Sequence, residues 1–448
     1  MRVVAYRLFL LFVISWFLHL SERVEILGLI RFDLVLVALI AILISAGTPD
    51  GPVAVVAEPV AALRIRRLMI ILLAYATVTL PLVEWPGSVL NAGLPGYIKA
   101  LVFYYFTSKL ITSPERIRGL LVVFVAAMLV RVFEPVYLHV TTGYWGSLAS
   151  MGGDEFMDRL AGAPFDKINP NGLAFVVLTV LCFMHYLAPL SRLAVVGYLL
   201  SLPVLLWALL LTGSRSGMVG FMAVIGVVWW KSRHKVVMGV SVAVLTMAVA
   251  PLLSDDLADR YRSIFDSHTK NSATAEGRIA GVWKDLDVAM RRPLFGHGLG
   301  TSREANANFG GEDMPSHNLY TETAQELGFV GLTIFVTMVV AIVATVRSSL
   351  ATLRGSGTSN RLLLSLADVL QVWLAMNLLF SFASYGLSSY EWYFAAGLSE
   401  VLSRFAALEA LPSNRTTLLA PTRRALEGML AGNGQAPLPA FRPARAAR

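Results

Sequence analysis

One short segment combines small residues with an arginine in a way that suits a phosphate group. The segment 212–217, with the sequence TGSRSG, lies between two long apolar runs. Its small residues allow a ligand to approach the backbone, and the amide groups at the start of the following helix favour an anion. Arg215 adds a planar set of donors that matches phosphate. We predict that Arg215 contacts phosphate; the alternative is a short turn whose arginine reaches the lipid headgroups.

A second segment supplies a histidine that could act as a base. Residues 316–320 have the sequence SHNLY and stand where a polar loop meets an apolar run. An imidazole has an ordinary pKa of about 6.5 and can take a proton near neutral pH. We predict that His317 abstracts a proton from a substrate, with a capping or solvated histidine as the alternative. The supporting candidates around it are Asn318, Tyr320, Glu322 and Glu326, and the two glutamates are the next candidates for the base.

Two further clusters carry arginines. Residues 158–162 (DRLAG) precede residues 169–172 (NPNG), where Asn-Pro-Asn predicts a turn with Asn171 as the cap of the next helix. We predict that Arg159 or Asn171 contacts glycan or phosphate, against the alternative of a turn with solvent-facing charge. The long loop 254–317 adds three arginines that are candidates for substrate contact: Arg260, Arg262 and Arg278.

The long loop also contains patterns that resemble cofactor and metal motifs. Its glycines at 296, 298 and 300 do not have the G-x-G-x-x-G spacing of a dinucleotide loop. Residues 285–287 (DLD) resemble the D-x-D of metal-dependent sugar transferases, but on an amphipathic helix a solvated polar face is the favoured interpretation. The only cysteine, Cys182, lies in an apolar run, which excludes disulfides and a cysteine zinc site. We predict no metal and no cofactor.

The composition indicates that a membrane domain positions these residues. Of the 448 residues, 56% are hydrophobic and 15% are charged, whereas soluble domains carry about 25% charged residues. Twelve apolar runs could cross a bilayer core of roughly 30 Å. They span residues 3–20, 27–46, 68–83, 97–111, 119–138, 171–190, 193–211, 217–230, 236–253, 327–346, 362–383 and 393–409. The predicted fold is all-α, a polytopic membrane protein with about twelve transmembrane helices.

Lysine and arginine residues predict the orientation. They cluster in alternate connections, at 64–67, 109–118, 231–235 and 347–361, which places these connections and the N-terminus in the cytoplasm. The long loop holds eight basic residues in 64 and is expected to lie on the side opposite the cytoplasm, because long translocated loops escape this rule. Apolar residues at helical spacing predict two amphipathic helices in it that lie against the membrane or cap the bundle. They are Leu257, Tyr261, Ile264 and Phe265 in the first, and Ile279, Val282, Trp283, Leu286 and Met290 in the second.

The predicted domains are a membrane domain over residues 1–410, which includes the long loop, and a basic tail over residues 411–448. The tail is rich in Arg, Pro, Gly and Ala and is expected to be disordered and cytoplasmic. The first apolar run lacks a small-residue cleavage site and is expected to persist as an uncleaved helix. The net charge of +8 is scattered between the apolar runs, which favours membrane lipids and phosphate over nucleic acid as partners.

Together these motifs resemble those of the O-antigen ligase family, which shares its membrane domain with O-antigen polymerases and protein O-oligosaccharyltransferases. The resemblance covers roughly residues 155 to 335. It rests on TGSRSG at 212–217, R-x-x-x-x-W at 278–283, PLFGHGLG at 293–300, and SHNLY at 316–320 with Glu326, Gly328 and Gly331 following.

The resemblance implies a metal-independent, inverting glycosyltransferase of the GT-C type in the bacterial inner membrane. It would transfer O-antigen polysaccharide from undecaprenyl pyrophosphate to lipid A-core oligosaccharide, at an active site that faces the periplasm. By position in the motifs, His317 would be the base, and Arg215 and Arg278 would bind the pyrophosphate. The alternatives are an O-antigen polymerase, a protein O-oligosaccharyltransferase and, more distantly, a membrane transporter.

The charge pattern predicts a topology that cysteine labelling can check. Cysteines placed at positions 214 and 271 should react with an impermeant thiol reagent in intact cells, whereas cysteines at position 233 and in the tail should react only after lysis. A Cys182→Ala background removes the natural thiol. Labelling of position 271 only after lysis would reverse the predicted orientation.

Overall fold

Most of the chain folds into helices. The computed structural model describes residues 1–47, 58–152, 155–232, 234–236, 239–240, 255–262, 264, 273–384 and 386–411. The predicted run 236–253 falls almost entirely outside these residues. Arg233, Phe265, Asn271 and the tail from residue 412 onwards also lie outside them.

The helices follow the predicted apolar runs, with some shifts at their ends. In chain order they are α1 (Arg2–Leu18), α2 (Leu20–Arg23), α3 (Glu25–Leu29), α4 (Phe32–Ala46), α5 (Val60–Val78), α6 (Pro86–Ser88), α7 (Leu94–Leu110), α8 (Pro114–Thr142), α9 (Pro170–Leu187), α10 (Arg192–Leu211), α11 (Arg215–Lys231), α12 (Asp255–Arg262), α13 (Ala273–Arg291), α14 (Ser302–Ala305), α15 (Leu319–Gly355), α16 (Arg361–Phe380) and α17 (Tyr390–Glu409). Helix α5 begins well before the run predicted at 68–83, because its first turns carry arginines that an apolar pattern does not detect. One of them, Arg66, is paired with Glu58 and Glu400.

Five of the described helices are long and apolar enough to cross a membrane. They are α8, α9 together with the short turn that follows it, α10, α15 and α16. These helices agree with the predicted all-α membrane fold, while the number of twelve spans stays a prediction.

Asparagine and serine side chains define where several helices begin. Asn169 accepts a backbone hydrogen bond of 2.9 Å from the first turn of α9, with Pro170 as the first helical residue. The predicted cap, Asn171, was therefore wrong: Pro170 occupies the first helical position, so the residue before it has the capping role. Ser214 and Asn318 cap α11 and α15 in the same way.

Aromatic side chains fill the centre of the bundle. Trp373 of α16 is fully buried, and its indole N–H donates to Thr179 of α9 at 3.1 Å. The ring of Phe124 on α8 lies 4.9 Å from that of Phe394 on α17. Lipid tails are as apolar as these side chains, so close packing and inter-helix hydrogen bonds hold such a bundle together.

A β-hairpin, absent from the all-α prediction, lies between α8 and α9. Strand β1 (Gly146–Gly152) pairs antiparallel with β2 (Glu155–Leu160), and Ala149 lies opposite Met157. The face that carries these two residues packs on α12. Arg159 therefore lies in a strand and not in the predicted turn.

The two predicted amphipathic helices are present as α12 and α13, and α13 packs against α15. The buried side of α13 carries Asp285, Val288 and Ala289, whereas Trp283 and Met290 are 65% and 59% exposed. Helix α13 thus caps the bundle through a side that is partly polar. The exposed Trp283 and Met290 of its predicted apolar face point away from α15.

A kink in α15 makes room for the end of the long loop. Gly328 has φ 66° and ψ −178°, and a Cβ there would lie 2.2 Å from a backbone carbonyl oxygen of the loop, so the position requires glycine. Backbone hydrogen bonds of 2.7 Å join loop and helix on both sides of the kink. The N–H of Phe329 donates to Pro293, and the N–H of His297 donates to Gln325. The long loop is therefore fastened along the first turns of α15.

Candidate active site

One cavity of about 460 Å³ lies where the hairpin, α12, α13 and the start of α15 meet, and we term it the arginine cavity. Its lining residues are Ala149, Arg159, Arg215, Arg260, Gly277, Gly281, Val282, Lys284, Asp285, Asn306, Gly310, Glu312, Met314, Pro315, His317, Asn318, Phe382 and Ala383. The cavity therefore brings together five of the residues predicted from the sequence. These are Arg159, Arg215, Arg260, His317 and Asn318.

The arginine turn, residues 212–214 after α10, gathers three guanidinium groups. Arg159 donates from Nε to the carbonyl oxygen of Thr212 at 2.8 Å, and Arg260 donates from Nε to that of Gly213 at 2.7 Å. Both arginines are buried, and half-buried Arg215 begins α11 directly after the turn. The turn thus orients two buried cations beside a third, at the positive end of a helix.

Gly213 and Asn171 make this close packing possible. Gly213 has φ +53°, and a Cβ there would lie 3.3 Å from the Arg260 side chain and 3.4 Å from Nε of Arg159. Asn171 accepts a hydrogen bond from Oγ of Ser214 at 2.7 Å and one from Nη2 of Arg159 at 3.4 Å. Asn171 therefore links the first turn of α9 to the arginine turn.

His317 lies on the cavity wall with an exposed side chain, two residues before α15. The residues that follow it are held against the end of α16. The Tyr320 hydroxyl donates to the carbonyl oxygen of Leu378 at 3.1 Å, and the Asn318 amide donates to that of Phe382 at 3.4 Å. Two helices thus determine the backbone position of His317, while its ring is accessible to a ligand.

A buried carboxylate, Asp285, holds the segment that contains His317. Its four donors are Ser316 Oγ at 2.6 Å, Thr321 Oγ1 at 3.0 Å, Asn306 Nδ2 at 3.0 Å and Gln325 Nε2 at 3.1 Å. The predicted solvated face was wrong for Asp285, which is 6% exposed. It holds for Asp287, which is exposed. The periodicity of α13 could not distinguish them, because the partners of Asp285 lie 21 to 40 residues further along the chain.

The charges of the arginine cavity favour an anion. Four cationic side chains line it together with two carboxylates. Asp285 is already occupied by its four donors, and Glu312 is paired with Lys284. Three arginines around one turn can bind an anion with more than one negative charge, and His317 in the same cavity can accept a proton.

The segment that supplies most of this cavity runs from α10 to the kinked part of α15. Residues 200–336 match the O-antigen ligase family. The match confirms the predicted resemblance over this segment. It indicates a function of the O-antigen ligase or polymerase type, which acts on lipid-linked polysaccharide in a membrane. No curated protein sequence matches the chain.

Two glutamates of this matched segment fasten loops. Glu322 accepts hydrogen bonds from the N–H groups of Gly386 and the next residue, at 2.7 and 3.1 Å. Glu326 accepts them from the N–H groups of Gly300 and Ser302, at 2.8 and 3.3 Å. Both side chains are buried and neither belongs to the cavity lining. The structure therefore places these alternative candidates for the base away from His317's cavity.

The remaining predicted arginines lie on α12 and α13. Arg262 is exposed at the end of α12 and is not part of the cavity lining. Arg278 lies on α13 between two cavity-lining glycines, and its side chain is outside the described part of the structure. Arg262 thus does not line the arginine cavity, whereas Arg278 directly follows Gly277, which does.

His297 and Tyr261 are two further titratable residues of the long loop, and each forms a hydrogen bond to a backbone carbonyl oxygen. His297 is buried, and its Nε2 lies 3.0 Å from the carbonyl oxygen of Val288, to which it donates. Burial lowers the pKa of His297, because the imidazolium form loses solvation. Burial raises the pKa of Tyr261, whose hydroxyl donates to the carbonyl oxygen of Leu210 at 2.9 Å. Among the described residues, no three His, Cys, Asp or Glu side chains are grouped as metal ligands.

Asp285→Asn should loosen the segment that contains His317. The amide keeps the shape of the side chain but loses its charge and one acceptor oxygen. Hydrogen bonds to a charged group contribute about 1.5–3 kcal/mol each, so we expect a loss of about 3 kcal/mol in the free energy of unfolding. Thermal unfolding and hydrogen exchange over residues 306–321 measure the effect. Asp287→Asn, on the exposed side of the same helix, is the matched control, and equal stability of the two variants would contradict the role of Asp285.

Proposed function

We propose that the chain is an O-antigen ligase that transfers O-antigen polysaccharide from undecaprenyl pyrophosphate to lipid A-core oligosaccharide. The observation that carries this proposal is one cavity lined by Arg159, Arg215, Arg260 and His317, built largely from the segment that matches the family. Transfer from a pyrophosphate requires an anion site for the leaving group and a base for one proton. In the proposal this site faces the periplasm from the bacterial inner membrane.

The arginines bind the pyrophosphate in the proposed mechanism. The carbonyl groups of the arginine turn already orient Arg159 and Arg260, so little reorganisation is needed as negative charge develops on the leaving group. Arg215 contributes its planar donors at the start of α11, where backbone amides also favour an anion. Arg278 is a further pyrophosphate ligand in this proposal, and its position on α13 between two lining glycines supports that role.

His317 removes the proton from the acceptor hydroxyl. The hydroxyl oxygen attacks the anomeric carbon from the face opposite the pyrophosphate, a new C–O bond forms, and the bond to the phosphate oxygen breaks with inversion. The neutral imidazole takes the proton, and the arginines neutralise the departing pyrophosphate, so the proposed reaction is independent of a metal ion. Asp285 is a positioning residue that acts through Ser316, the neighbour of His317.

A deletion strain separates the proposed function from the related ones. The lipopolysaccharide should lose all polymer-capped core while lipid-linked long chains accumulate, because polymer is made but not transferred. Cores with single-unit caps would instead identify a polymerase. Unchanged lipopolysaccharide with loss of protein glycosylation would identify a protein O-oligosaccharyltransferase. Re-expression of the wild-type chain is the control.

Substitutions at His317 and Arg215 should nearly abolish transfer by the purified protein. Removal of a positioned general base lowers the rate by a factor of about 10² to 10⁴. We expect the transfer rate of His317→Ala to fall by a factor in this range. Arg215→Ala should lose activity strongly, and Arg215→Lys should recover part of it, since an ammonium keeps the charge but not the planar donors. The assay uses lipid-linked donor and core acceptor in excess chelator, without a membrane gradient.

The matched control for these variants is Arg303→Ala. Arg303 belongs to the same long loop, is exposed and pairs with Asp313 at 2.8 Å on the surface. It should transfer glycan at close to the wild-type rate. Transfer within a few fold of wild type by a normally abundant His317→Ala protein would exclude His317 as the base.

A further inference from the structure

A second cavity, of about 230 Å³, lies at the same end of the bundle as the arginine cavity. The ends of α1 and α16 and the starts of α9 and α17 surround it. The loop between α16 and α17 contributes to both cavities: Phe382 and Ala383 line the arginine cavity, and Ser381 and Ser384 line the second. The two cavities are therefore neighbours that share one loop.

Three buried polar atoms of the second cavity have no hydrogen-bond partner within the described residues. They are the hydroxyl oxygen of Tyr390, Oε2 of Glu391 and Nδ1 of His19. Tyr390 as a whole is only 9% exposed. Leaving a buried donor or acceptor unsatisfied costs free energy, so three such atoms around one cavity indicate a polar occupant.

The charges around the second cavity disfavour an anion. Its one arginine, Arg131, is buried and donates to both carboxylate oxygens of Asp166, at 2.6 and 2.9 Å. Glu391 brings carboxyl oxygen atoms to the wall, and Arg131, already paired, is the one arginine or lysine among the described lining residues. The lining therefore suits a phosphate less well than the arginine cavity does, whereas a neutral group with several hydroxyls could satisfy both donors and acceptors.

Aromatic side chains supply the other part of the wall. Trp16, Phe17, Phe380 and Trp392 all line the cavity. A pocket with apolar faces and a few convergent polar atoms fits a compact ligand that is itself apolar on its faces and polar at its edges. A pyranose ring has this character, with C–H groups on its faces and hydroxyls around its rim.

We propose that the second cavity binds one sugar ring, through Tyr390, Glu391 and His19, while the neighbouring cavity holds the pyrophosphate. This inference rests on the proposed function, because it assigns the ring to one of the two glycans that the reaction joins. Glu322 anchors the shared loop through Gly386, which lines the second cavity. A bound sugar would thus lie across one anchored loop from the arginine cavity.

Tyr390→Phe tests the proposal without disturbing the fold. The substitution keeps the ring, which packs 4.8 Å from Phe17, and removes a hydroxyl that has no partner among the described residues. A merely structural role predicts an unchanged or higher melting temperature and unchanged KM. A sugar contact predicts that KM for one substrate rises about threefold to tenfold, the worth of one hydrogen bond, with kcat nearly constant.

Tyr186→Phe is the matched control. Its hydroxyl is also buried without a partner among the described residues, but it lies near the other end of α9. This variant should leave both KM values unchanged. A rise in the acceptor KM of Tyr390→Phe would assign the sugar to the core acceptor, and a rise in the donor KM would assign it to the transferred glycan. Unchanged KM values for both substrates would overturn the proposal.

Direct binding separates this inference from the proposed function. Saturation-transfer NMR with free core oligosaccharide and with free repeat-unit oligosaccharide should show contact with the wild-type protein, reduced in Tyr390→Phe and in Glu391→Gln. Absence of contact from either sugar in a protein that ligates would mean that the cavity holds water alone. Saccharide contact in a protein that does not ligate would refute the ligase function and leave the sugar site standing.

Discussion

The carboxylate of Asp285 is the contact on which the geometry of the site depends. A buried carboxylate is stable only when its oxygen atoms are well bonded, and Asp285 accepts hydrogen bonds from four side chains. Those side chains belong to the turn after α14, to the segment before α15 and to α15 itself. The single carboxylate therefore joins α13 to α15 and determines where the residues on either side of His317 lie. Glu326 and the kink at Gly328 fasten the rest of the long loop to the same helix.

The arginine turn positions cationic side chains, as Asp285 positions the segment that contains His317. Arg159 comes from a strand, Arg260 from α12 and Arg215 from α11, and the carbonyl oxygens of two turn residues orient the first two. Each of these two arginines donates from Nε to a carbonyl oxygen of the turn, which orients its guanidinium beside the cavity. In the proposed reaction, arginines oriented in this way would bind the pyrophosphate leaving group with little rearrangement.

The two cavities beside the α16–α17 loop differ in charge, as do the pyrophosphate and the sugar ring that we propose they bind. The arginine cavity is lined by three arginines and one lysine together with two carboxylates. In the second cavity, Arg131 donates through Nε and Nη2 to both carboxylate oxygens of Asp166, and three buried polar atoms have no hydrogen-bond partner within the described residues. Glu322 holds the loop by two backbone N–H groups. The difference between a cavity lined by arginines and a cavity lined by tyrosine, glutamate and histidine side chains is thus part of the folded bundle.

Some of this organisation could be predicted from the sequence, and the reason is that it is local. An apolar run forces a helix wherever the chain meets lipid, so α8, α9, α10 and α16 lie close to their predicted positions. A cap or a small-residue turn acts within four residues, so the motifs around Arg215 and His317 could be recognised from their own neighbours. The hairpin, the buried state of Asp285 and the loop-fastening roles of Glu322 and Glu326 could not. The three carboxylates depend on partners that lie far along the chain, for example 21 to 40 residues for Asp285 and 64 residues for Glu322 and Gly386. Periodicity carries no information about such distant donors, so only the tertiary structure decided which polar side chains are buried and what they hold.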